Sequence, residues 1–290
     1  MKLTHQTEIL IVGLGVIGGG YARALTDKGY RVTCITKEQK DVDYAMERGM
    51  IAQGYTQVDA EIVGRADLVI LALYPTVMLD WLECYQSYFK SGAVITDVTG
   101  VKGLIVDRVQ SMLREDVEFI AAHPMAGRER SGVEYSDAKV FQGANYIVTP
   151  TEKNTPDAVA LCKQLGEELG FARITELTPQ KHDEMIAFLS QLTHCIAVVL
   201  MNCNTTPNME AYTGDSFRDL TRIAKINDEM WSELFLWNRE ELLRQMDAFS
   251  QTFEELRQFL SDGDRESMRQ MMRNSTFRRG LFDKPKTEPR

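Results

Sequence analysis

Cysteine is scarce and scattered in this chain: five among 290 residues (Cys34, Cys84, Cys162, Cys195 and Cys203), with no Cys-x-x-Cys pair. That speaks against a disulfide framework or a structural zinc site and fits a reducing, cytoplasmic setting; no metal is expected. No apolar run reaches the ~18 residues of a membrane-spanning helix, and the start, Met1 to Glu8, has no apolar core of a signal peptide. Positive charge is also in deficit. Lys and Arg number 33 against 42 Asp and Glu, a net charge of -9. A nucleic-acid partner would want a basic face, so none is expected, and no membrane partner either. Histidine is rare as well, with four copies: His5, His123, His182 and His194. No internal repeat or low-complexity segment is present. What remains is an ordinary globular composition, 44% hydrophobic and 26% charged, at a length that suits two domains or one large one.

The most informative stretch is near the start. Ile9 to Val12 read as a buried strand, Gly13, Gly15 and Gly18 follow at G-x-G-x-x-G spacing, and Tyr21 to Lys28 reads as a helix. In a dinucleotide-binding turn the first glycine permits the tight turn and the second lets a pyrophosphate approach. The third lets helix and strand pack closely. Val16 and Ile17 lie inside the turn, where N–H groups at the positive end of the helix can hold phosphate.

Strand and helix patterns then alternate. Strands are expected at Arg31–Thr36, Ala66–Leu73, Ala93–Asp97, Val117–Ala121, Asn145–Thr149 and Ala172–Leu177, with helices between them. The alternation predicts an α/β Rossmann-type, doubly wound N-terminal domain over residues 1–178. At Thr178-Pro179, an N-cap followed by a first-turn proline, strand signals stop. Residues 179–282 read as an all-α C-terminal domain, beginning with one long helix over Lys181–Cys203. In the last long helix Leu242, Met246, Phe249, Phe253, Leu256 and Leu260 form a heptad seam. On spacing alone that seam packs either on its own domain or on a second subunit. Residues 283–290 read as a frayed tail.

Candidate chemistry is confined to a few residues. His123 follows a strand and opens a Pro-Met-Ala-Gly loop, the place where open α/β sheets bind ligands, and suits acid–base work. His194 shares a helix face with Ser190, four residues before it. Asp183 lies about three turns earlier on nearly the same face, whereas His182 points elsewhere. Arg218 and Arg222 stand one turn apart and could grip a carboxylate, or could be a solvated face paired with Asp219 or Glu229. The second strand ends at Thr36-Lys37 with Glu38 next. Lys37 would welcome a 2′-phosphate, so NADP is expected to serve at least as well as NAD. Leu73 and Pro75, where the third strand ends, complete the expected cofactor contacts.

Taken in order, these motifs carry a resemblance: Gly13-Leu-Gly-Val-Ile-Gly18, Asp97-Val-Thr-Gly-Val-Lys-Gly103, His123 to Gly132, Lys181-His-Asp-Glu184, Ser190-Gln-Leu-Thr-His194, Phe217 to Ala224, and Met230-Trp231. Over about residues 8–260 the chain resembles the prephenate/arogenate dehydrogenases of tyrosine biosynthesis. The resemblance implies oxidative decarboxylation of prephenate to 4-hydroxyphenylpyruvate, a nicotinamide cofactor, and a homodimer through the helical domain, which favours the interface reading of the seam. It implies that His123 takes the proton of the ring hydroxyl, that Arg222 holds a carboxylate, and that His194 and Ser190 contact substrate or shape its pocket. It further implies that Glu129 gates or orients the site, and that Asp183 and Trp231 stand behind it or at the interface. Two departures stand out. Relatives carry a serine at the place of Gly100, which Thr99 or a water must fill. Relatives also read His and Pro where this chain has Gln191 and Thr193. Arogenate is the alternative substrate, and a non-catalytic nucleotide-binding sensor is the alternative of another class. A 6-phosphogluconate-type enzyme would need a lysine base in a glycine-rich helix, which is absent.

Overall fold

The computed structural model describes residues 2–127 and 130–283. Arg128, the expected gating residue Glu129, and residues 284–290 of the expected tail lie outside the described residues. Two compact units emerge, Met1–Leu242 and Leu243–Arg290.

The first unit is built on a six-stranded parallel sheet. Its strands are β1 (Ile9–Val12), β2 (Val32–Ile35), β3 (Gln53–Tyr55), β4 (Leu68–Leu71), β5 (Val94–Asp97) and β6 (Glu118–Phe119), in the spatial order β3-β2-β1-β4-β5-β6. Strands β1 and β4, Ile-Leu-Ile-Val and Leu-Val-Ile-Leu, are buried at every position. Helices on both faces of a parallel sheet leave no polar side, so an unbroken apolar run is what such strands require. Those helices are α1 (Val16–Asp27), α2 (Gln39–Glu47), α3 (Ala60–Arg65), α4 (Pro75–Tyr85) and α5 (Gly103–Met112). The sheet order reverses beside β1, between β2 and β4, and an α/β sheet binds its ligand at such a switch point.

A second sheet follows, β7 (Ala121–Pro124), β8 (Asn145–Thr149) and β9 (Arg173–Glu176), with β7 antiparallel to β8 and β9 parallel to it. The sequence pattern suggests one strand over Val117–Ala121 in a single sheet. The chain instead pairs Ile95 with Phe119, passes buried Ile120, and changes sheets. His123 therefore lies within β7, opposite Ile147, rather than past the end of a strand of the large sheet. A continuous apolar run cannot show where a strand changes partners. The short β3 also escapes the pattern, its three residues being only partly buried. Helix α6 (Pro156–Leu169) runs between β8 and β9. The Thr155 hydroxyl caps it by accepting from Ala158 N, and Gly170 ends it at φ +86°.

From Thr178 the unit is helical, as α7 (Pro179–Ile186), α8 (Thr193–Asn202), α9 (Asp215–Thr221) and α10 (Asp228–Trp237). Thr178 caps α7 by accepting from Lys181 N, with Pro179 in the first turn. The expected single helix over Lys181–Cys203 is interrupted, since Ala187–Leu192 winds as a π-helix. The run Pro179–Asn202 is long and apolar enough to cross a membrane by length and composition. The last helices are α11 (Arg239–Ser261) and α12 (Arg265–Gly280), the latter capped by Asp264 on Ser267 N. Within the second unit the Phe249 and Phe253 rings stack at 6.2 Å, while Phe253 and Leu260 stay 60% and 69% exposed. Phe249 is exposed as well, at 40%, whereas Leu242, the last residue of the first unit, is buried.

Candidate active site

The glycine turn has the shape that its spacing predicts. Gly13 adopts φ +96°, and a Cβ there would sit 2.4 Å from Ala72 O. A Cβ on Gly18 would lie 2.1 Å from Gly13 O, so both positions exclude a side chain. At Gly15 a Cβ would meet no protein atom within 4 Å. That glycine answers to nothing inside the protein, which fits a ligand approaching from outside. Gly15 is also the N-cap of α1, whose first turn, with Val16, Ile17 and Gly18, has no side-chain cap and no acidic residue. Such an end of a 12-residue helix suits a pyrophosphate. Leu73 lines the turn, its Cδ2 lying 3.0 Å from the position of a Gly13 Cβ. Pro75 opens α4, and the next N–H, that of Thr76, is taken by the Glu233 carboxylate at 2.6 Å. Thr36 N bonds Tyr55 O at 3.0 Å just past β2, and Lys37 and Glu38 follow it exposed. Burial raises the pKa of nearby Asp41; Lys40 opposes this, and Glu134 and Glu38 add to it.

His123 does not stand alone. Its Nδ1 lies 2.9 Å from Nε2 of His182, and Nδ1 of His182 lies 2.7 Å from Oδ1 of Asp183. Sequence reading sends His182 elsewhere. In the fold its ring is completely buried between His123 and Asp183. Adjacent helix residues diverge by about 100°, so only the rotamers, which sequence does not show, bring them together. The imidazole of His123 is held well below its usual pKa, first by desolvation, then by the repulsion that a protonated ring would meet from His182 and Lys102. That of His182 is lowered by burial too, with Asp183 opposing.

Both histidines are therefore neutral when folded near pH 7, and this sets a pH dependence of stability. Below the ordinary imidazole pKa of ~6.5 the unfolded chain binds a proton at each ring while the folded chain resists. Stability should be level above pH 7 and fall as pH drops through 6 toward 5, by up to ~1.4 kcal/mol per pH unit for each histidine. Urea unfolding at a series of pH values measures it; a flat profile from pH 7 to 5 contradicts it.

The Asp97–Gly103 loop grips this chain of groups. Asp97 and Lys102 form an ion pair with no exposed side-chain surface. Lys102 Nζ donates to Asp97 Oδ2 at 2.6 Å, Thr99 O at 2.8 Å and Thr99 Oγ1 at 3.0 Å. Asp97 Oδ1 accepts from Ala122 N at 3.1 Å, next to His123. Burial lowers the Lys102 pKa, and Asp97 counters it. The expectation that Thr99 replaces a serine beside His123 is not met. Its hydroxyl donates to the Asp97 carboxylate, with Val101 O as the other acceptor at 2.9 Å, and Thr99 is buried. The space beside the imidazole belongs to Gly100, where a Cβ would lie 3.8 Å from His123 Cε1 and 3.6 Å from Leu234.

The helical residues form a second group. His194 Nδ1 donates to Ser190 O at 2.8 Å, and its ring stacks on Trp231 with centroids 3.7 Å apart. Trp231 thus lies against its own chain's histidine. Ser190 lies in the π-turn and His194 just past it, and such turns recur at functional sites. Gln191, which departs from the relatives' histidine, is buried. It donates to Leu234 O at 3.0 Å and accepts from Asn238 Nδ2 at 2.8 Å. Arg222 follows α9 in a short 3-10 turn and is exposed. Arg218 donates to Thr213 O at 2.9 Å and lies 3.5 Å from Asp215, not with Asp219.

A switch-point glycine turn, a helical extension and a pair of imidazoles that joins β7 to the first of its helices place this protein among the two-part dinucleotide-dependent dehydrogenases. The family described as "Prephenate dehydrogenase, nucleotide-binding domain" matches residues 21–176, and "Prephenate dehydrogenase, dimerization domain" matches residues 178–274. The chain belongs to the prephenate dehydrogenase family. It is 28% identical over 270 residues to the prephenate dehydrogenase of Bacillus subtilis, covering 91% of this chain and 72% of that one. It is 29% identical over 272 residues to the cyclohexadienyl dehydrogenase of Zymomonas mobilis, covering 90% and 92%. The crystal structure of prephenate dehydrogenase from A. aeolicus, in complex with hydroxyphenyl propionate and NAD+, superposes with a TM-score of 0.89 at 27% identity, covering 98% and 100% of the chains.

Proposed function

We propose that the chain is an NAD(P)-dependent prephenate dehydrogenase that converts prephenate to 4-hydroxyphenylpyruvate. Arogenate is the alternative substrate of the same chemistry. The observation that carries the reading is the His123 imidazole itself, on a strand gripped by the end of β5 and with Nδ1 2.9 Å from His182, where burial holds its pKa below the usual value. The first turn of α1 with Gly13, Gly15, Val16, Ile17 and Gly18, together with Thr36, Lys37, Leu73 and Pro75, would hold the cofactor. A bound nicotinamide would accept the hydride from the ring carbon bearing the hydroxyl. His123 draws the hydroxyl proton as the hydride leaves. It returns that proton to the phenolate oxygen created when CO2 departs and the ring becomes aromatic, so no net proton is consumed. Arg222 grips a substrate carboxylate with its planar fork. His194, Ser190 and Trp231 shape the pocket, and Glu129 gates or orients the site. Thr99 acts by holding Asp97 and Lys102 in place, which leaves the missing serine's role at Gly100 to a water or the substrate hydroxyl.

The proposed division is 1–178 for the nucleotide domain, 179–282 for the helical domain and 283–290 for a tail. A homodimer through the helical domain is supported by the exposed seam side chains Phe249, Phe253 and Leu260 of α11 and by the dimerization-domain match. A second copy over the exposed apolar side chains of Pro179–Asn202, such as Val199 and Met201, would account for that helix in a cytoplasmic enzyme.

The test is absorbance of the reduced nicotinamide with prephenate and then arogenate, each with NAD and NADP. Turnover of prephenate is expected. No turnover in any combination, with cofactor binding retained, would favour the sensor. For the cofactor, kcat/KM with NADP should equal or exceed that with NAD. Lys37→Ala should cost about tenfold with NADP and little with NAD, because one charge-assisted contact to a phosphate is lost. The acids Glu38, Asp41 and Glu134 keep the NADP preference small. A strong preference for NAD overturns this.

A further inference from the structure

Asp183 is surrounded by donors. Its Oδ1 accepts from Lys102 N at 2.8 Å, and its Oδ2 from Gly103 N at 2.7 Å. Both N–H groups belong to the open end of α5, where they have no partner within the helix. Asn238 Nδ2 holds the backbone of the same residue, at 2.9 Å from Asp183 O. The carboxylate is thereby fixed in position and direction.

A carboxylate offers only acceptors. The third group against it, Nδ1 of His182 at 2.7 Å, must therefore carry a proton. A neutral imidazole has one N–H, so Nε2 of His182 is a lone pair. That lone pair faces Nδ1 of His123 at 2.9 Å, and the proton of this contact sits on His123. His123, neutral in turn, is left with a lone pair on Nε2.

We propose that Asp183 is a positioning residue which, acting through His182, selects the tautomer of His123 whose Nε2 accepts the substrate proton. This rests on the reading of His123 as the proton acceptor. The device needs no rearrangement during reaction. When Nε2 gains a proton, Nδ1–H remains on His182, and the Asp183 carboxylate stabilises the positive charge through the intervening ring. The Lys102 and Gly103 N–H groups stop that carboxylate from turning away. Their loop also holds β7 through Asp97 and Ala122. One seven-residue motif, Asp97 to Gly103, thus fixes both where His123 stands and which of its nitrogens is free.

A merely structural Asp183, tying α7 to α5, would matter for stability and not for the tautomer. Nitrogen-15 spectra of the histidine-labelled full-length protein distinguish the two, with His123→Ala identifying the signal among four histidines. Above pH 7, His123 should show a protonated Nδ1 and a bare Nε2; a proton on Nε2 overturns the proposal. In Asp183→Ala the acceptor for His182 Nδ1 is lost, so nothing fixes which nitrogen of either ring carries the proton. That variant should lose at least about 10²-fold in kcat, with the substrate KM within about threefold, and its His123 signal should shift toward Nε2–H. An unchanged kcat or tautomer overturns the proposal. If Asp183→Ala does not fold, the wild-type spectrum still decides. Failure of wild-type turnover would strike the proposed function instead, since the spectrum is read without substrate.

Discussion

Replacing His123 with alanine should lower kcat by about 10²- to 10⁴-fold while cofactor affinity stays within error of the wild type. The loss corresponds to about 3–5 kcal/mol in the barrier. The prediction follows from where the residue sits and what surrounds it. His123 is held in β7 by backbone pairing with Ile147, and its Nδ1 is bound to His182. Its pKa is well below the usual imidazole value, first because its surroundings desolvate it. A neutral imidazole at pH 7 can accept a proton, and a methyl group cannot. The glycine turn that would hold the cofactor is formed by β1, β4 and α1, so truncation of His123 does not reach it. Steady-state kinetics and a binding titration with the dinucleotide separate the two effects. The acid limb of kcat/KM for the wild type should lie below pH 6.5, in line with the lowered pKa. Activity near wild type in His123→Ala removes the residue from the mechanism.

Much of this site is legible in the sequence because local rules govern it. The glycines of the first turn are required by a positive φ and by approaches of 2.1–2.4 Å, and both needs are local to the strand–turn–helix unit. Thr178-Pro179 marks the start of α7 because cap and first-turn chemistry act within four residues. What stays hidden depends on packing between distant segments. The π-turn at Ala187–Leu192 changes the helical phase between Asp183 and His194, so their expected shared face does not follow from counting residues. His182 becomes part of the site through contacts with a strand 59 residues away. Lys102 offers a faint signal, a lysine between Val101 and Gly103 directly after a strand ending in Asp97. Only the fold shows that it turns inward onto that aspartate rather than out to solvent. Thr99 fails as a stand-in for serine for the same reason: the buried pair claims its hydroxyl first.

That pair carries the largest expected effect on stability. Lys102→Met keeps most of the side-chain length but removes the charge. Asp97 would then be buried with the N–H groups of Ala122 and Thr99 and the Thr99 hydroxyl as its remaining donors. Breaking one side of a buried pair leaves an uncompensated charge, and such changes destabilise by about 3–5 kcal/mol. Replacing both partners at once is far less costly, because the desolvation of two ions is avoided together with their attraction. The double variant Asp97→Asn with Lys102→Met should therefore be more stable than Lys102→Met alone, though a side-chain amide, with one oxygen, can no longer accept from both Ala122 and Thr99. Urea unfolding at one fixed protein concentration, which holds any subunit association constant, gives both differences. A loss below about 1 kcal/mol for Lys102→Met would show that the pair is no stronger than an exposed one. Because Asp97 also holds Ala122, the residue before His123, the single variant should lose turnover even at temperatures where it remains folded. A variant destabilised by several kcal/mol yet fully active would sever the link between the buried pair and the placement of the imidazole.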